Sequence, residues 1–64
     1  MNGGKFVENM WLGNRELIMR CLLEGQYEVL DSDSDYNRAF GGDYAECKEF
    51  MHQLYIEYEE DMIG

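Results

Sequence analysis

Basic residues are scarce in this chain: five Lys and Arg and a single His stand against fourteen Asp and Glu, for a formal charge of −9 over 64 residues. Proteins that grip phosphates do so with Lys and Arg, so this balance argues against nucleic-acid binding and equally against an anionic membrane surface. Long apolar runs are missing, which excludes a transmembrane helix, and the start Met1-Asn2-Gly3-Gly4-Lys5 leads into no signal-peptide core. A cytoplasmic protein is the expectation. Only Cys21 and Cys47 are present, far apart and without a CxxC. They read as two small free apolar side chains in a reducing compartment, with a disulfide between two helices as the alternative. Zinc needs four ligands, and Cys21, Cys47 and His52 supply three, so no structural metal and no cofactor are expected.

Catalytic equipment is equally sparse. No Gly-rich phosphate loop precedes a helix, no nucleophile elbow occurs, and the one His, His52, sits between Met51 and Gln53 on a periodic segment, where it reads as a partly exposed surface residue. Carboxylate pairs perform acid and base chemistry only in a concave pocket that separates their pKa values, and a chain this short rarely encloses one. The sequence predicts a non-enzyme.

What is present is enough apolar surface to fold. An apolar share of 45% is too high for a disordered acidic tail, and the length allows one domain over residues 1–64. From Phe6 to Glu24, Val7, Met10, Trp11, Leu17, Ile18, Cys21 and Leu22 recur at intervals of three, four and seven, which predicts a first helix ending at Gly25, with a weak point at Gly13-Asn14. Gln26–Leu30 and Tyr36–Gly41 predict a β-hairpin around the turn-rich Ser32-Asp33-Ser34-Asp35. Asp43 and Glu46 form the D-x-x-E capping box of a second helix from about Tyr44 to Asp61. The predicted fold class is α+β in the order helix, hairpin, helix (α-β-β-α).

A helical wheel places Cys47, Phe50, Met51, Leu54 and Tyr58 on one face of the second helix as its core stripe. Ala45, Ile56 and Ile63 fall opposite, and Leu12, Met19 and Leu23 fall away from the main face of the first helix. This surplus, together with the marginal stability of a lone hairpin, predicts a homodimer, by joining two hairpins into one sheet or by pairing helices.

The run Asp31-Ser32-Asp33-Ser34-Asp35 begins like an EF-hand loop but has Tyr36 where a Gly is required and Gly42 where a bidentate Glu is required, so it reads as a solvated turn. Along the second helix Glu46, Glu49, Gln53, Glu57 and Glu60 form a column. One helical turn spaces carboxylates by about 5.4 Å and alternate strand residues by about 6.6 Å, intervals of the order of the phosphate spacing in a nucleic-acid strand. The candidate partner-binding residues are therefore Asp31, Asp33, Asp35, Glu46, Glu49, Glu57 and Glu60, with Tyr36 and Tyr55 as aromatic anchors.

In its length, its charge of −9, its D-S-D-S-D loop and its acidic tail Glu57-Tyr58-Glu59-Glu60-Asp61, the sequence resembles the small acidic proteins that bacteriophages express to disable host machinery. These include DNA mimics that occupy nucleoid proteins or defence nucleases, and inhibitors of RNA polymerase. The resemblance implies an inhibitor in the host cytoplasm whose partner is a basic DNA-binding host protein. Two other readings compete: an interaction module of antitoxin or adaptor type that binds through the apolar stripes, and a regulator that binds a small ligand or metal.

Overall fold

The computed structural model of the chain describes residues 4–63, so most of the Met1–Lys5 start read for a leader lies outside the described residues. Strands β1 (Lys5–Leu12), β2 (Arg15–Leu23), β3 (Gln26–Asp31) and β4 (Asn37–Gly42) form one antiparallel meander in the order β1-β2-β3-β4. A 20-residue helix, α1 (Tyr44–Ile63), then packs across one face of the sheet. The order is β-β-β-β-α. The hairpin and the C-terminal helix lie where their turn and capping signals place them, but the first helix does not exist.

The error over Phe6–Glu24 has a definite physical origin. In β2 the residues Leu17, Met19 and Cys21 alternate with Glu16, Ile18 and Arg20, and Ile18 supplies an apolar residue to the second face. A strand with apolar side chains on both faces produces adjacent pairs such as Leu17-Ile18, and their spacing reads as three and four. The Gly13-Asn14 step is the turn itself: Leu12 pairs with Arg15 across a two-residue loop in which Gly13 has φ +66° and Asn14 does not share the positive φ. Positive φ at the first loop position alone is the signature of a type II′ hairpin turn, whose twist suits the flanking strands. Gly25, with φ +76°, closes the next hairpin.

The side-chain rows follow from the register. Met19, Val29 and Phe40 lie opposite one another on β2, β3 and β4, and Met10 lies opposite Leu17. Leu12, Leu17, Met19 and Val29 from the sheet meet Cys47 and Met51 from α1 to form the buried core, flanked by half-buried Phe50, Leu54 and Tyr58. The core stripe read for the second helix is therefore the packed one. The surplus stripe of the supposed first helix is not a surface: Leu12 and Met19 are core residues, and only Leu23 is exposed. Cys21 and Cys47 are free thiols, the second fully buried; burial pushes its pKa up.

Two reciprocal bonds start the helix. The Asp43 carboxylate accepts from the Glu46 backbone N–H at 2.8 Å, and the Glu46 carboxylate accepts from the Asp43 N–H at 2.9 Å. Among the described residues no helix is long and apolar enough to cross a membrane.

Met19 and Leu23, assigned to one stripe by helical periodicity, should separate sharply on truncation. Met19→Ala should cost about 2–5 kcal/mol in urea unfolding, because it opens a cavity in the core. Leu23→Ala, at an exposed site, should stay within about 0.5 kcal/mol. Equal losses at the two positions would contradict the sheet register.

Candidate functional site: an acidic helix and an acidic loop

The molecule's few cations are not distributed at random. The Arg15 guanidinium bonds both carboxylate oxygens of Asp31, with Nε 3.0 Å from Oδ1, and lies 3.7 Å from Asp33. Arg20 donates twice to one oxygen of Glu28, at 3.0 and 2.6 Å, while Arg38 approaches the other oxygen at 3.4 Å. The Lys48 ammonium of α1 donates to Glu8 of β1 at 2.8 Å. Four of the five Lys and Arg residues are thereby engaged with carboxylates that the sheet bears. The pairs involving Asp31 and Glu28 are partly desolvated, since those residues are only 5% and 7% exposed. An unpaired carboxylate at either position would be costly.

The consequence falls on α1. It carries Glu46, Glu49, Glu57, Glu59, Glu60 and Asp61, all exposed, and its one Lys is drawn to β1. No basic residue occupies its last turn, where a helix dipole favours one. The exposed negative charge of the helix therefore falls in two groups, Glu46 with Glu49 and Glu57 with Glu59, Glu60 and Asp61, and the second group has no Lys or Arg beside it within the helix.

The residues singled out in the sequence divide accordingly. Glu49, Glu57 and Glu60 are exposed on the helix; Glu46 is exposed as well but is tied into the capping box. In the loop, Asp33 and Asp35 are exposed, whereas Asp31 is turned inward to Arg15 and also accepts from the Asp33 N–H at 3.0 Å. Arg15 holds the Asp31 carboxyl below the usual carboxylate range, chiefly through their hydrogen bonds. Asp31 anchors the loop and does not contribute to the exposed surface. The loop is also not extended: Ser32–Ser34 form a short 3-10 turn, with Asp35 and Tyr36 both at φ 61°. The strand-like 6.6 Å ladder is absent there, and what remains is the helical column, interrupted at Gln53.

Chain direction brings the two acidic groups together. Because α1 runs back from the end of β4, its C-terminal half returns to the end of the sheet that holds the β3–β4 loop, and Tyr58 sits beside Gly13 of the first turn. Asp33 and Glu57 both act on the Arg15 guanidinium, whose pKa is raised, first by its bonds to Asp31. Glu46 and Glu49 lie nearer the other end, on the rim of a shallow apolar hollow of about 260 Å³ floored by Phe40 and Phe50. Those two rings are stacked with centroids 4.7 Å apart.

The proposed aromatic anchors part company. Tyr55 stays with the acidic helix, donating its hydroxyl to Glu59 at 2.6 Å, which raises its pKa. Tyr36 turns to the opposite side of the sheet, where its hydroxyl donates to Glu16 at 2.8 Å. Sequence reasoning missed that opposite side altogether, because Phe6, Trp11, Ile18 and Arg20 were assigned to a helix; alternation within β2 was the available signal.

Comparison with known protein families, characterised proteins and solved structures yields no match.

Asp31→Asn should cost about 1–3 kcal/mol, since Arg15 would lose a charged partner in a partly desolvated pair. The pH dependence has a definite sign. A carboxyl whose folded pKa is depressed stabilises above its unfolded value, so the Asp31 contribution should be complete above about pH 4 and lost as pH falls below it. Thermal melts of wild type and variant should differ at neutral pH, and the difference should shrink progressively as pH falls below the ordinary Asp value of about 3.9. A constant difference across that range would refute the assignment.

Proposed function

We propose that this chain is a non-catalytic binding protein that presents an acidic surface to the basic, nucleic-acid-binding face of a partner protein and so excludes nucleic acid from it. The observation that carries the reading is the allocation of charge: among the described residues Lys48 and the three arginines are paired to carboxylates borne by the sheet or the β3–β4 loop, and none of the six exposed carboxylates of α1 forms a salt bridge, although Glu57 acts on Arg15 from a distance. The helix holds these carboxylates on a rigid element in two groups, Glu46 with Glu49 near its start and Glu57 with Glu59, Glu60 and Asp61 at its end, separated by about 12 Å at about 1.5 Å per residue. Such a field attracts Lys and Arg over long distances and raises the association rate.

Rigidity favours this reading over simple solubility. A flexible acidic tail would lose conformational entropy on binding, whereas here the column is held by a capped helix whose inner face is locked through Cys47 and Met51. The Asp33 and Asp35 side of the loop widens the same negative end.

The experiment is a displacement assay. Proteins retained by the immobilised chain from a bacterial lysate at low salt are challenged with labelled duplex DNA, using wild type and the set Glu49→Gln, Glu57→Gln, Glu60→Gln. Glu46 is left intact because it caps the helix. Wild type should compete with DNA for the retained protein in a salt-sensitive manner, and the triple variant should compete about tenfold more weakly, a loss of about 1.4 kcal/mol, mainly through slower association. Undiminished competition by the folded variant would overturn the proposal, as would retention only of proteins that do not bind DNA.

A further inference from the structure

Among the described residues, none covers the face of the sheet turned away from α1. Register places Phe6 and Trp11 of β1, Ile18 and Arg20 of β2, Leu30 of β3 and Arg38 of β4 on that face. Phe6 and Trp11 are 63% and 59% exposed, large values for aromatic side chains on a regular sheet. Trp, Phe and Arg are residue types enriched at the centres of protein interfaces.

This face is also electrostatically unlike the rest of the molecule. Its two carboxylates are both occupied: Glu28 by Arg20 and Arg38, and Glu16 by the Asn9 amide at 2.8 Å and the Tyr36 hydroxyl at 2.8 Å. Two arginines balance two glutamates, so the face is neutral on a chain of charge −9. A basic partner is drawn to the helix, not here, and nucleic acid or an anionic membrane is repelled by the whole molecule. A second copy of the chain is the occupant that fits, because this is the surface on which two such anions meet without opposing charge.

We infer that two copies associate face to face through these open sheets, with Trp11 and Phe6 at the contact. Geometry permits it. Helix α1 lies behind each sheet, and with layers packed about 10 Å apart the two acidic helices would sit about 30 Å from each other, well beyond a Debye length of about 8 Å at physiological salt. Strands of six to nine residues make each face roughly 400–550 Å², so a pair covers about 800–1,100 Å², at the lower end of specific interfaces. That size belongs with weak, reversible association. The interface is not the one predicted from helical stripes: Leu12 and Met19 are buried within each copy, and the four-stranded sheet is complete in one chain.

Salt separates this association from the partner binding proposed above. Screening relieves repulsion between two anions, so added salt should strengthen the dimer, whereas it weakens attachment of a basic protein. The test combines sedimentation equilibrium with fluorescence of Trp11, the single tryptophan, from about 1 to about 200 μM chain in about 0.15 M salt. Wild type should approach twice the 7.6 kDa chain mass, with Trp11 emission moving to shorter wavelength as concentration rises. Phe6→Ser and Trp11→Ser, both at exposed sites, should keep the wild-type circular dichroism and sediment as monomers, and Phe6→Ser should leave Trp11 emission independent of concentration. A wild type that is monomeric throughout overturns the inference, and so does a dimer that survives both substitutions or weakens on adding salt. Loss of DNA displacement in the glutamine set with the dimer intact, or the reverse, tells the two proposals apart.

Discussion

One helix covers one face of a four-stranded sheet, and most of what distinguishes this molecule follows from that geometric limit. A chain of 64 residues has length for a meander and a single helix. The core is accordingly small, with Leu12, Leu17, Met19 and Val29 on one side and Cys47 and Met51 on the other. Each fully buried apolar side chain contributes about 1.5–3 kcal/mol, so stability also depends on the polar arrangement around this core. The second face of the sheet is left to polar networks and exposed aromatics.

Charge is arranged around the same limit. Arginines 15, 20 and 38 face carboxylates at the sheet, two of which are nearly buried. Glu28 shows the logic: alone it would be a desolvated anion on a strand, but held between Arg20 and Arg38 it anchors a neutral strip across three strands. Since cations are few, engaging them at the sheet strips the helix of counter-charge. The acidity of α1 is thus partly a consequence of how the sheet is held together, and it gives the helix a field that a basic partner would feel.

The two surfaces proposed to bind lie back to back and differ in kind. The helix is charged, regular and salt-sensitive; the open sheet face is neutral, aromatic and suited to contact that salt strengthens. Because the sheet separates them, each remains accessible while the other is engaged, and a dimer would carry two acidic helices facing outward. The hollow floored by Phe40 and Phe50 lies beside the β4 edge, with Glu46 and Glu49 of the acidic helix on its rim.

Several features were legible in the amino-acid sequence because their causes are local. The Asp43–Glu46 cap, the Tyr44–Ile63 helix with its Cys47 and Met51 face, and the hairpin around Ser32–Asp35 each depend on residues within a few positions of one another. The net charge needed only counting. Residues 5–23 were not legible, because strands with apolar residues on both faces imitate helical spacing, and the decision between the two conformations rests on pairing with β3, which local sequence does not contain. The role of Asp31 was hidden for the same reason. Nothing nearby in sequence distinguishes it from Asp33 and Asp35; only the fold brings Arg15, sixteen residues earlier, against its carboxylate and turns one member of an acidic run inward. Sequence alone thus determined the acidic character and the local elements, and tertiary structure decided which carboxylates are neutralised, which remain exposed, and which face of the sheet is left open, since each of these depends on residues that meet only when the strands pair.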